Sequence, residues 1–216
     1  MAWPGEKEAW DVLSGLASKQ VTTKAKARFN SRDSTYELKC FGQDISISLT
    51  DRNVFSKSNL GMLLVSALGD YSRLSTLRYL IHASDLPLTG QLVRPSDLSG
   101  GGIFVKGTHV LPLDKIATYF ADYRGDFLSI GKSLGGSELD YGDMSLKLLP
   151  FPRVPVVLIV WCGDDEFAPK ASLLFDSSCG EHLSTDIIWS TAVMTVEMML
   201  INAKAYNTYN ASGSQG

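Results

Sequence analysis

The chain has 216 residues, 44% of them hydrophobic and 20% charged, with a net charge of −3 and a pI near 5.6, which suits one domain with a sizeable core. Its Lys and Arg residues form no cluster, which argues against nucleic acid as a partner, and no apolar run reaches the roughly 20 residues a membrane helix needs. The start, MAWPGEKEAW, lacks the basic and apolar parts of a signal peptide, so the expectation is a cytoplasmic protein.

From the N-terminus, Glu6 to Ala17 sets Trp10, Leu13 and Ala17 on one helical face, and Val21 to Phe29 continues as a second, more basic helix. Tyr36, Leu38 and Cys40 then alternate with Glu37 and Lys39, and Ile45, Ile47 and Leu49 alternate with Asp44, Ser46, Ser48 and Thr50. This pattern predicts an antiparallel hairpin, with Gly42-Gln43 as a two-residue type II′ turn. Leu60 to Ala83 reads as helix broken at Gly69-Asp70, with Ser72 capping a second piece that carries Leu74, Leu77 and Ile81.

Leu86 to Gly102 is extended chain and turns, followed by a short strand at Ile103-Phe104-Val105. Helix is expected from Pro112 to Phe120 and from Phe127 to Leu134, ended by Gly135-Gly136. A strand within Tyr141 to Leu149 leads to the central feature of the sequence, Val154 to Trp161. That continuous apolar, β-branched run between Pro155 and Gly163 has the pattern of a strand covered on both faces. Ser172 to Asp176 is a further strand, Ser184 caps a long helix running to Ala203, and residues 207–216 form a disordered tail.

On the last helix, Ile188, Trp189, Ala192, Val193, Val196, Met199 and Leu200 make a broad core face. Opposite it, Ile187, Met194, Met198 and Ile201 form a narrow line, the sort of seam one helix offers to a partner chain or to a second copy in a homodimer. A helix buried on all sides carries the same pattern and is the leading reading. Strands and helices neither alternate as βαβ units nor segregate, so the fold class is α+β: a single domain over residues 1–206 with a mixed or mostly antiparallel sheet flanked by helices.

The chemistry-bearing residues are few. Cys40, Cys162 and Cys179 are far apart with no CxxC pair, which leaves no self-contained zinc site, iron–sulphur cluster or disulfide framework. Gly125 to Ser133, GDFLSIGKS, has five residues between its first Gly and the Gly-Lys pair where a phosphate-binding loop has four, and Asp126 would repel phosphate. His82, His109 and His182 stand alone without ligand spacing. Gly101 and Gly102, in the triplet Gly100-Gly101-Gly102, admit a close backbone approach to a cofactor, although such clusters more often make turns. Trp161 is the aromatic candidate for the same role.

The apolar strand ends in Asp164, Asp165 and Glu166. In an extended continuation Asp164 and Glu166 share a face, where two carboxylates can bind a hard cation or divide acid and base roles. Equally they can hold neighbouring amides and fix the turn between two strands, and this structural role is favoured because no histidine or nucleophile is placed beside them.

The run LPFPRVPVVLIVWCGDDEFAPKASLLFD, preceded by LSGGGIFVKGTHVLPL and LGGSELDYGD, resembles a family of bacterial and archaeal domains, mainly from anaerobes, known as a domain of unknown function. The similarity extends from Ala25 to Leu200, and its W-x-G-D-x-E-F pattern is carried by Trp161, Gly163, Asp164, Glu166 and Phe167. Some relatives resemble fusions to the cysteine-rich cluster segment of corrinoid iron–sulphur proteins, which implies a setting in anaerobic corrinoid or one-carbon metabolism. The resulting expectation is a binding or accessory module that recognises a cofactor or a protein partner. The alternative is a metal-assisted, hydrolase-like enzyme using Asp164 and Glu166.

Overall fold

The computed structural model describes residues 5–104 and 109–213, with the side chains of all of them except residues 70 and 206–213. Helix α1 (Glu6–Gly15) buries Ala9, Trp10 and Leu13, and α2 (Ser18–Ala25) buries Val21 and Ala25. Lys26 then takes a left-handed conformation at φ 52° and ends the helix. The stretch expected to be helix up to Phe29 therefore gives way to strand β1 (Arg28–Asn30), whose Phe29 faces Tyr36 across the next strand.

Strands β1, β2 (Thr35–Cys40), β3 (Gln43–Ser48) and β4 (Asn53–Phe55) form an antiparallel meander in sequence order. Its register sets Tyr36 opposite Ile47 and Leu38 opposite Ile45, so the alternation in the sequence does become one buried face. The turn lies one residue earlier than expected. Cys40 faces Gln43, and Phe41 and Gly42 both have positive φ, 47° and 73°, which is the type I′ pattern. A phenylalanine in that conformation is disfavoured locally, and tertiary contacts hold it there. Phe41 is fully buried and its N–H donates to the Leu149 carbonyl at 2.8 Å, while Gly42 backs onto Gly135 so closely that a Cβ would stand 3.1 Å from that residue's Cα.

Helices α3 (Asn59–Ala67) and α4 (Gly69–His82) follow. Ser58 caps α3 by accepting from the Gly61 N–H at 3.0 Å. Ser72 is not the cap of α4: the helix already begins at Gly69, and the Ser72 hydroxyl donates to the Gly69 carbonyl at 2.9 Å within the first turn. Helix α1 is tied to α4 through the buried Glu6 carboxylate, which accepts from Trp10 at 3.3 Å and from Arg73 at 2.7 Å.

The second sheet has the order β5 (Leu92–Val93), β9 (Lys170–Asp176), β8 (Val154–Trp161), β7 (Met144–Phe151) and β6 (Ser137–Leu139), antiparallel throughout. The expected central strand is thus central, in one of two sheets rather than one, and the class is α+β. Leu146, Leu158 and Leu173 share a face in register with Leu148, Val156 and Phe175, and onto it pack α5 (Leu113–Ala121), α6 (Arg124–Ser133) and α7 (Thr185–Gly213). Each such side chain contributes roughly 1.5 to 3 kcal/mol on burial. Gly131 lets α6 approach β7, because a Cβ there would overlap Leu146. The phosphate-loop look-alike therefore lies inside α6 as continuous helix.

Ile103 and Phe104, expected in a strand, belong to a single 3₁₀ turn (Gly101–Phe104), and Val105 lies outside the described residues. Helix α7 runs past Ala203 to Gly213, while 214–216 lie outside the described residues. Along α7, Ile187, Met194 and Met198 are buried within the chain and Ile201 is half-buried, so this line is covered by the protein's own elements. Among the described residues no helix is long and apolar enough to cross a membrane.

Candidate functional site

The loop after β8 is closed by its own first carboxylate. Gly163 takes φ 68°, and a Cβ there would stand 2.7 Å from the Phe167 carbonyl oxygen. Asp164 Oδ1 accepts from the amides of Glu166 at 2.9 Å and Phe167 at 2.8 Å, while the Asp164 N–H donates to the Phe167 carbonyl at 2.9 Å. The chain is therefore turned, not extended, and the face-sharing expected for Asp164 and Glu166 in a continuing strand does not arise. The Asp164 carboxylate is committed to backbone, the part of a turn lock. Asp165 and Glu166 stand in solvent.

A second carboxylate braces the loop from the other side. Asp143, ahead of β7, accepts from the Cys162 amide at 2.8 Å through Oδ2 and lies 3.7 Å from Arg124 through Oδ1. Between these supports is an open depression of about 540 Å³ lined by Asp143, Trp161, Asp164, Phe167 and Lys170. Gly142, at φ 59°, passes under the Trp161 ring, where a Cβ would come within 3.1 Å of it. Trp161 is 38% exposed and Phe167 is 68% exposed. An aromatic side chain that far out of the core on a loop this well pinned is the unusual feature of the site.

The three histidines are placed elsewhere by the contacts of the described residues. His82 ends α4, and the ring of His109 lies against Trp189 with centroids 4.8 Å apart. His182 is fully buried, with the Ser84 amide donating to its Nδ1 at 3.2 Å. Burial, and then the charge of Arg153, lower the pKa of His182. Among the described residues no group of three or more His, Cys, Asp or Glu is placed to hold a metal ion. Burial pushes the Cys40 thiol up, and burial reinforced by Asp176 pushes Cys179 up to about 12, so neither is a thiolate at neutral pH.

The glycine triplet serves the chain itself. At Gly101 a Cβ would overlap the Pro95 carbonyl oxygen, and at Gly100 (φ 75°) it would meet Thr185, whose hydroxyl donates to the Ser99 carbonyl at 2.9 Å. Gly102 faces open space. The triplet is a packed turn against α7.

Two polar centres escape the sequence reading. Asp176, only 2% exposed, collects five donors: the amides of Thr89, Gly90 and Ser178 and the hydroxyls of Thr89 and Ser178. Burial by itself raises its pKa, but these hydrogen bonds prevail and bring it down to about 2. Its signal was the Asp-Ser-Ser string, since Asp176 caps the following 3₁₀ turn. Arg153, in the turn between β7 and β8, donates from Nε to the Lys24 carbonyl at 2.6 Å and from Nη1 to the Leu86 carbonyl at 2.9 Å, and it touches Asp85. Nothing local marks it, because its partners come from distant parts of the chain.

No curated protein and no solved structure matches the chain. A family model does match over residues 18–198, which takes in both sheets, the β8–β9 loop and most of α7, and the chain belongs to the family described as Domain of unknown function (DUF3786).

Proposed function

We propose that the protein is a cytoplasmic binding or accessory module whose recognition surface is the β8–β9 loop. The observation that carries this reading is Phe167, 68% exposed on a loop that Asp164 pins at two amides. A rigid, solvent-facing aromatic loses little conformational entropy when a partner covers it, which is how interface anchors act. Trp161 adds a second ring, and Asp165 and Glu166 form an acidic rim that favours a partner with cationic groups around an apolar patch. A protein partner is favoured over a cofactor because Phe167, at 68% exposed, is left largely uncovered by the chain itself.

The finer setting, corrinoid or one-carbon metabolism of an anaerobe, is supported only by the resemblance to relatives carrying cluster segments. It makes a corrinoid protein the first partner to try. The test is co-purification from the native host, then reconstitution with the purified partner, using wild type, Phe167→Ala and Trp161→Ala. Loss of the complex in both variants, with unchanged circular dichroism, supports the reading. A complex retained by both variants refutes it, as does turnover of a substrate that is lost in Asp164→Asn/Glu166→Gln.

A further inference from the structure

A second, smaller pocket of about 210 Å³ opens at the edge of β9, and it shares no lining residue with the depression at the β8–β9 loop. Strand β5 pairs only Leu92 with Asp176 and Val93 with Phe175 before Pro95 turns the chain away. Beside Ser172 to Leu174 this leaves a gap instead of a neighbouring strand. The floor of the gap is apolar, made by the buried Phe104, Leu111 and Leu173 with Leu113 at the side. Its polar side chains are Arg94, Ser172 and Ser96, the last of which donates to Asp97 at 3.2 Å.

Arg94 is exposed and, among the described residues, makes no ion pair or hydrogen bond through its side chain. Yet the turn that carries it is firmly braced. The Asp97 and Leu98 amides donate to the carbonyls of Arg94 and Pro95 at 3.0 and 3.3 Å, and Gly101 is packed beneath the Pro95 carbonyl. A guanidinium without a partner among the described residues thus sits on a fixed support at the mouth of an apolar slot.

We infer that this pocket binds a small organic carboxylate, with its apolar body over Leu111 and Leu173 and its carboxylate on the Arg94 guanidinium. The guanidinium fork matches a carboxylate in two parallel hydrogen bonds, and a neutral polar group cannot use it as well. The volume sets the size class. It lies below the roughly 300 Å³ at which pockets for drug-sized ligands begin, so the slot takes a group of side-chain size and excludes a nucleotide or corrinoid. Two sources offer this chemistry: a free branched or aryl acid, and the C-terminal residue of a peptide ending in an apolar side chain.

The test is an amide-resolved NMR titration of the full chain with 4-methylpentanoate and phenylacetate, their neutral amides, and the tripeptide Ala-Ala-Leu as acid and as amide. The acids should shift the amides of Arg94, Leu111 and Ser172 to Leu174 saturably, and bind about tenfold more tightly than the neutral amides, the difference a charged hydrogen-bonded pair makes. Arg94→Gln should abolish that preference while keeping weak binding, and Leu113→Trp should block both forms. A tripeptide acid stronger than the free acids assigns a peptide C-terminus; a weaker one assigns a small metabolite. Equal binding of acid and amide, an unaffected Arg94→Gln variant, or no saturable shift at about 10 mM ligand, where even millimolar affinity would show, overturns the inference. Phe167→Ala should leave this titration unchanged, so failure here is separable from failure of the loop as a recognition surface.

Discussion

Replacing Arg153 by methionine tests the main tertiary clamp of the fold. The Arg153 side chain is 8% exposed, while that of its acidic neighbour Asp85 is 61% exposed. The ion pair is therefore solvated on one side and worth little, on the order of 0.5 kcal/mol. The carbonyls are another matter. Arg153 supplies donors to Lys24 at 2.6 Å, Leu86 at 2.9 Å and Thr23 at 3.4 Å, while its own amide donates to the Tyr79 hydroxyl, which in turn donates to Ala25. Methionine fills the volume and keeps the main-chain bond to Tyr79, but leaves the Lys24, Leu86 and Thr23 carbonyls without these donors, at about 1 to 3 kcal/mol for each that water does not reach. With water reaching these carbonyls only in part, we expect a loss of about 3 to 5 kcal/mol. For a domain of this size that lowers Tm by roughly 6 to 20 °C. Lysine, which keeps the charge but not the fork, should recover only part of the loss. Asp85→Asn should cost under about 0.5 kcal/mol. Urea unfolding followed by circular dichroism measures all three. If Arg153→Met costs less than about 1 kcal/mol, or if Asp85→Asn costs as much as Arg153→Met, the carbonyl-clamp argument fails.

Acid should destabilise the protein in two stages. His182 is held neutral by burial, so the unfolded chain binds the extra proton. Stability is then full above the ordinary histidine value of about 6.5 and falls as pH drops below it, and His182→Asn should flatten this first stage. Asp176, brought down to about 2, adds stability that is complete above the ordinary carboxylate range and is lost as pH falls toward that value; unfolding midpoints recorded from pH 8 to 2.5 would show a single-stage curve if either assignment is wrong. Asp164→Ala should speed hydrogen exchange at Glu166 and Phe167 with a global cost of only about 0.5 to 1.5 kcal/mol; unchanged exchange would mean that the loop is held by something else. Gly101→Ala should cost about 1 to 3 kcal/mol through overlap with the Pro95 carbonyl, and a neutral result in thermal unfolding would show that the 94–101 turn yields easily.

The parts of the fold legible in the sequence were those governed by local period. The alternation from Tyr36 to Leu49 fixed the hairpin, and the apolar run from Val154 to Trp161 fixed the central strand. The failures came where distant contacts overrode local preference. Phe41 takes a positive φ because its amide finds Leu149 and Gly42 finds Gly135, and no pattern near residue 41 carries that information. Ile103-Phe104 has strand composition, but Gly101 packing under Pro95 coils the segment. The single expected sheet became two because β1 to β4 pair only with one another, as a meander in sequence order, and β5 to β9 pair only among themselves.

The acids show the same limit at the level of function. Asp164 and Asp176 flank β9 and do similar work, each accepting backbone amides to set a turn, yet one is conspicuous in the sequence and the other is not. Asp164 draws the eye because two more acids follow it, and those two are in solvent, where they shape the field around the loop without joining its hydrogen bonds. Asp176 has no acidic neighbours, yet it is buried and collects five donors, which hold its pKa down to about 2 against the effect of burial. Adjacent like charges therefore point to the surface, since they cannot be buried together at tolerable cost, whereas a lone carboxylate can be buried once donors surround it. On that reasoning the acidic run after β8 belongs to what the protein presents, with Phe167 as its centre, and the carboxylate that the fold depends on lies at the opposite end of the neighbouring strand.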